Sequence, residues 1–110
     1  MDEFTAEITV VGQNHKPWFF TFEAMIDTGA KRSSIDTKLA EVLDLENVGE
    51  IKVSNAMGKQ ARPLVKIKLF HNSEAYELEV STTDRSQLSY PMILGRDFLA
   101  LWKSMPNDDQ

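Results

Sequence analysis

The chain has 110 residues and no cysteine, which fits one compact domain over 1–110 and excludes disulfide frameworks, thiolate metal sites and thiol nucleophiles. Its formal net charge of -5 lacks the basic surplus of an electrostatic nucleic-acid binder, while 42% hydrophobic and 26% charged residues are ordinary for a globular domain. Met1-Asp2-Glu3 is acidic with no apolar run after it, and no apolar stretch reaches bilayer length, so the expectation is a cytoplasmic protein with no secretory leader and no membrane partner.

The dominant hydrophobic period is two. Phe4 to Val11 alternates, with Phe4, Ala6, Ile8 and Val10 on one face, and reads as a half-buried strand. Gly12 to Pro17 is a turn cluster. Trp18 to Ile26 alternates again, so the two strands form a hairpin that delivers the chain to Asp27. After a short extended piece, Asp36 is a candidate N-cap for a helix through Leu39, Ala40, Val42 and Leu43, ended by Asn47 to Gly49. Glu50 to Ser54 and Ala61 to Phe70 read as strands flanking a turn-rich tip, Asn55-Ala56-Met57-Gly58.

The next hairpin is predicted in register. With Asn72-Ser73 as a two-residue turn, Lys68 faces Glu77 and Lys66 faces Glu79, while Leu69 meets Tyr76, Ile67 meets Leu78 and Val65 meets Val80. A one-residue slip would destroy both sets of pairs. Ser81 to Tyr90 reads as a polar connection, Pro91 to Leu94 as a short buried strand, and Gly95 opens a helical stretch through Phe98, Leu99, Leu101 and Trp102. Residues 103–110 read as a flexible tail. The fold class expected is mostly β with one or two short helices.

Ala24-Met25-Ile26-Asp27-Thr28-Gly29-Ala30 places an acid directly after an apolar strand, in a turn where glycine permits unusual backbone angles. An isolated Asp-Thr-Gly is more often an ordinary Asx-type turn than a catalytic one. Its setting here is different. The stretch resembles the active-site loop of aspartic peptidases, and Met92-Ile93-Leu94-Gly95-Arg96-Asp97-Phe98-Leu99 resembles the second element of the retropepsins, in the right order and with a strand–turn–strand between the two. Asp27 to Ala30 followed by Ser33-Ser34, Gly58 with Arg62 to Val65, and Thr83 to Ser86 before Tyr90 to Arg96 look like the RimB-type family, first named ATP-dependent zinc protease and often found with ATP-grasp ligases such as RimK.

That resemblance implies a small closed β-barrel-like acid-protease fold and a homodimer, because peptide hydrolysis by this chemistry needs two carboxylates and the chain has one such motif. It implies Asp27, Thr28 and Gly29 at the catalytic turn, with Asp27 as acid or base, Thr28 locking two turns together and Gly29 allowing their approach. Ala30, Met57, Gly58, Arg62 and Arg85 are the implied substrate contacts, Met57 and Gly58 as a flap and the arginines as grips on a glutamate-rich peptide. Arg96 is implied to make structural ion pairs near the turn. Asp36, Asp44, Asp84 and Asp97 read as cap, helix end, loop and helix start.

Two departures stand out. Viral retropepsins place an acid right after Asp-Thr-Gly-Ala, where this chain has Lys31-Arg32, and the charged termini are poor material for interleaved strands. His15 and His71 alone, with no His-Glu-x-x-His, do not make a zinc site, and no phosphate loop is present, so no cofactor is expected. A non-catalytic peptide-binding module serving an ATP-grasp ligase is the competing function.

Overall fold

The computed structural model describes residues 4–14, 18–55 and 58–104. Strands β1 (Thr5–Val11) and β2 (Phe19–Ile26) pair antiparallel, with Ala6 opposite Ala24 and Ile8 opposite Phe22. Ala6, Ile8 and Val10 are buried and Glu7 is exposed, as the alternation predicts, whereas Phe4, assigned to the same face, precedes the strand and is 78% exposed. His15, Lys16 and Pro17 of the predicted turn lie outside the described residues.

Strand β3 (Ser34–Asp36) leads into helix α1 (Thr37–Val42), and Asp36 caps it as expected. Its Oδ2 accepts the N–H groups of Lys38 and Leu39 at 3.1 and 3.2 Å. The helix ends earlier than the spacing predicts. Asp44 takes a left-handed φ of 55° and the Leu45 N–H donates to the Ala40 carbonyl at 3.1 Å, closing the last turn. Leu43 and Leu45 are both buried, so a period of two has already resumed, and Glu46 to Gly49 begin a strand rather than end a helix. Val42, counted among the core-facing positions, is 50% exposed.

Strands β4 (Glu46–Asn55), β5 (Gly58–His71) and β6 (Glu74–Thr83) form a meander. The β5–β6 register is the predicted one: Lys66↔Glu79 and Lys68↔Glu77 on one face, Val65↔Val80, Ile67↔Leu78 and Leu69↔Tyr76 on the other. Asn72 and Ser73 have φ of 51° and 68°, the left-handed pair that a two-residue hairpin turn requires. β6 extends through Thr83 into the segment read as a connection, because Ser81 to Thr83 pair parallel with β3. That partner is remote in the chain, so no local pattern announces it.

Strand β7 (Met92–Leu94) and helix α2 (Arg96–Ser104) complete the fold. α2 takes in Lys103 and Ser104 of the predicted tail, and residues 105–110 lie outside the description. The hydrogen-bonded order β1-β2-β7-β3-β6-β5 closes on itself through Thr9↔Phe70 and Val10↔Leu69, giving a six-stranded barrel with β4 outside it on β5. Ile8, Ile35, Ile67, Leu69, Leu94 and Phe98 are fully buried inside. Burial of each contributes about 1.5–3 kcal/mol before chain entropy is counted. Among the described residues no helix is long and apolar enough to cross a membrane.

The outer ends of β4 and β5 leave the barrel as a ribbon, exposed from Gly58 to Ala61, with a bulge between Asn47 and Gly49 at its root. Asn55↔Gly58 is its last pair, and Ala56 and Met57 at the tip fall outside the described residues.

Candidate active site

The polypeptide reaches Asp27 from β2, whose end is pinned parallel to β7 by Met25↔Ile93 and Ile26↔Leu94. The Asp27 N–H donates to the Leu94 carbonyl at 2.9 Å, continuing that ladder by one bond. The chain then turns: the Ala30 N–H donates back to the Asp27 carbonyl at 3.1 Å, and the Gly29 N–H donates to Asp27 Oδ1 at 2.9 Å. One carboxylate oxygen is thus held by the backbone of its own turn, and the residue remains partly exposed. A Cβ on Gly29 would sit 3.3 Å from that oxygen.

The turn rests on the segment that follows β7. Arg96 N–H donates to the Ala30 carbonyl at 2.8 Å. Gly95 is required there by space alone, since a Cβ would lie 2.7 Å from the Ala30 carbonyl oxygen and 3.0 Å from the Arg32 carbonyl carbon. The two sequence motifs, far apart in the chain, therefore make one structural unit. Ser33 and Asp97, absent from the predicted site residues, bind it together through a buried hydroxyl.

A cleft of about 670 Å³ opens beside the turn, starting at Ala30. The turn side supplies Lys31, Arg32, Ser34 and Ile93, the β4–β5 ribbon Ile51, Lys52, Val53 and Arg62, and the far side Ser81, Thr83, Asp84, Arg85 and Leu88. Five basic residues thus face one acid in a chain whose net charge is -5. Arg32 donates to the Glu79 carbonyl at 3.2 Å. Arg85 is 7% exposed, and its Nε donates to the Tyr90 carbonyl at 2.9 Å while its N–H donates to Asp36 Oδ1 at 2.8 Å. Burial lowers the pKa of its guanidinium, and the nearby Asp36 charge opposes that shift. The Ser86 backbone N–H, with its hydroxyl, holds the Asp84 carboxyl below its usual value. Arg62 Nε is buried with no hydrogen-bond partner among the described residues.

Of the predicted contacts, Ala30, Arg62 and Arg85 converge on this cleft, and Gly58 does not line it. Gly58 sits exposed on the ribbon with φ of 114°, and Met57 lies outside the described residues. Asp27 is adjacent to the cleft in sequence but does not line it, and Thr28 is exposed with no intrachain partner for its hydroxyl among the described residues. The Arg96 side chain is exposed, with no carboxylate in ion-pair range among the described residues, so the expected ion pair is not made there and its bond to the turn comes from the backbone N–H. Lys52, Ile51 and Val53 were legible only as strand residues, because their approach to the turn depends on where the ribbon leaves the barrel. Among the described residues, no three His, Asp or Glu side chains gather as a metal centre would require.

Comparison with known proteins agrees with this geometry. The family model described as "gag-polyprotein putative aspartyl protease" matches residues 20–100, which hold both motifs. No curated protein matches the sequence. Among solved structures, the EIAV protease complexed with the inhibitor HBY-793 superposes with a TM-score of 0.68 at 15% identity, over 96% of this chain and 93% of that one. The simian foamy virus (mac) protease gives 0.65 at 13% identity, over 94% and 100% of the two chains. A retropepsin-like aspartic protease from Rickettsia conorii gives 0.54 at 16% identity, over 98% and 89%. These likenesses establish the fold, and the family model covers most of the chain. This chain belongs to the gag-polyprotein putative aspartyl protease family, one of retropepsin-like aspartic proteases.

Proposed function

We propose that the chain is a homodimeric aspartic endopeptidase, with Asp27 from each of two copies as the catalytic pair. The observation that carries this reading is the Asp27 turn: a half-exposed carboxylate held by Gly29, fixed to β7, next to a cleft that its own chain leaves without it. A second copy related by a twofold axis would bring two such turns face to face and two clefts into one groove. Thr28, exposed and with no hydroxyl partner among the described residues, is suited to bond the facing turn.

Two carboxylates in contact share one proton, an effect for which the aspartic proteases are the standard example. The ionised member takes a proton from water as its oxygen attacks the peptide carbonyl. The protonated member gives its proton to the carbonyl oxygen, producing a tetrahedral diol. Collapse of the diol breaks the C–N bond, with a proton passing to the leaving nitrogen.

The substrates in this reading are acidic, glutamate-rich peptides. Support comes from Lys31, Arg32, Lys52, Arg62 and Arg85 on the cleft walls, and from Arg62 Nε, which has no acceptor among the described residues. A RimB-type assignment, with a functional link to an ATP-grasp ligase that makes such peptides, accords with that chemistry and is part of the proposal. Cleavage of glutamate-rich peptides, measured across protein concentration, tests it. Specific activity is expected to fall on dilution as dimers separate, and Asp27→Asn is expected to remove cleavage. Full cleavage by the Asp27→Asn variant, or by a species shown to be monomeric, overturns the reading.

A further inference from the structure

The incoming end of the Asp27 turn is held by the strand bond to Leu94, but the outgoing end is held by a different device. Ser33 is fully buried, and each of its polar atoms has a partner. Its N–H is shared between the two carboxylate oxygens of Asp97, at 3.0 Å to each. Its hydroxyl donates to Asp97 Oδ1 at 2.6 Å and accepts the Gly95 N–H at 2.9 Å. Its carbonyl accepts the Ser81 N–H at 3.2 Å. Asp97 Oδ1 accepts the Phe98 N–H as well, at 2.7 Å.

One carboxylate therefore gathers three donors, two from Ser33 and one from the start of α2, a load that suits a group with acceptors only. Through Ser33 it also holds the Gly95 N–H, next to the Arg96 N–H that donates to the Ala30 carbonyl at 2.8 Å, and Ala30 closes the turn on Asp27. The path from Asp97 to Asp27 is short and built of directional bonds, and both ends are tied to the barrel.

We propose that Asp97 is a positioning residue for the catalytic turn: it clamps Ser33, and by that clamp sets the angle at which the Asp27 carboxylate is presented. This rests on the peptidase reading for its kinetic consequence, while its structural part stands without it. The experiment compares Asp97→Ala, Asp97→Asn and Ser33→Ala with the parent chain. Amide hydrogen exchange at Asp27, Ala30 and Gly95 is measured alongside kcat and KM on a glutamate-rich peptide.

Asp97→Ala is expected to speed exchange at Ala30 and Gly95 by about tenfold or more through local opening. It is expected to lower kcat about 100-fold, the order associated with a displacement near 1 Å, while KM moves little. Asp97→Asn keeps an acceptor oxygen at Oδ1 and is expected to restore both readouts. Unchanged exchange and kcat in Asp97→Ala overturn the proposal, and so does equal loss in Asp97→Asn. Unfolding of both Asp97→Ala and Ser33→Ala overturns it too, because the cluster would then hold the barrel and not the turn. If the parent chain cuts no peptide, the peptidase reading fails, and exchange at the turn alone decides the clamp.

Discussion

In the β5–β6 hairpin each residue meets a partner from its own neighbourhood in the chain, through many contacts of similar and modest strength. At the Asp27 turn a few hydrogen bonds connect residues far apart, Ser33 and Asp97 being 64 positions from one another. The hairpin spreads its stability, so no single surface pair matters much. The turn concentrates its geometry in a handful of directional contacts, so a single atom can matter greatly for chemistry and little for folding. The difference teaches where to look for each property: stability in the buried faces of β5 and β6, the proposed catalysis in the join between the turn and α2.

The largest effect expected tests that division directly. Asp27→Asn should reduce cleavage by at least about 100-fold, the order of a lost general base, with a melting temperature close to the parent's. Ile67→Ala should do the reverse. It empties a fully buried position of the hairpin and should cost about 2–5 kcal/mol in a denaturant titration while kcat per folded molecule is kept. A stable, inactive Ile67→Ala protein would break the comparison.

Arg62→Ala sharpens it on the substrate side. Removal of a charge-assisted contact worth about 1.5–3 kcal/mol should raise KM for an acidic peptide by an order of magnitude or more and leave a neutral peptide unaffected. Gly95→Ala sits where the two regions' properties merge. Its methyl would press on the Ala30 and Arg32 backbone, so a loss of about 1–3 kcal/mol is expected together with reduced kcat. The smallest effect belongs to the hairpin surface. Lys68→Glu should cost at most about 1 kcal/mol by facing Glu77 with a like charge, and adding Glu77→Lys should restore the parent's midpoint.

Much of this molecule is legible from residue order. The β5–β6 register follows from two interleaved pairings, charged on one face and apolar on the other, that only one alignment satisfies. The Asp36 cap is legible because a cap bonds its own next turn. The helix end is not, because Val42 continues the apolar spacing past Ala40, whereas Asp44 in a left-handed conformation stops the helix and leaves Val42 in solvent. The last residues of β6 escape a local reading because their partner strand, β3, comes from another part of the chain. At the site, Ala30, Arg62 and Arg85 are legible while Ser33 and Asp97 are not, since a buried serine and a helix-start aspartate carry no sign of each other until they meet.

By itself the amino-acid order determined the strand periodicity, the hairpin pairing and the presence of an Asp-Thr-Gly turn after an apolar strand. All of these depend on contacts within a few residues or on strict alternation. Tertiary structure alone decided the closure of the barrel through β1 and β5, the seating of the turn on Gly95, and the gathering of basic side chains around one cleft. Those features join segments dozens of residues apart, and what brings such segments together is the burial of a shared core, which no local pattern encodes.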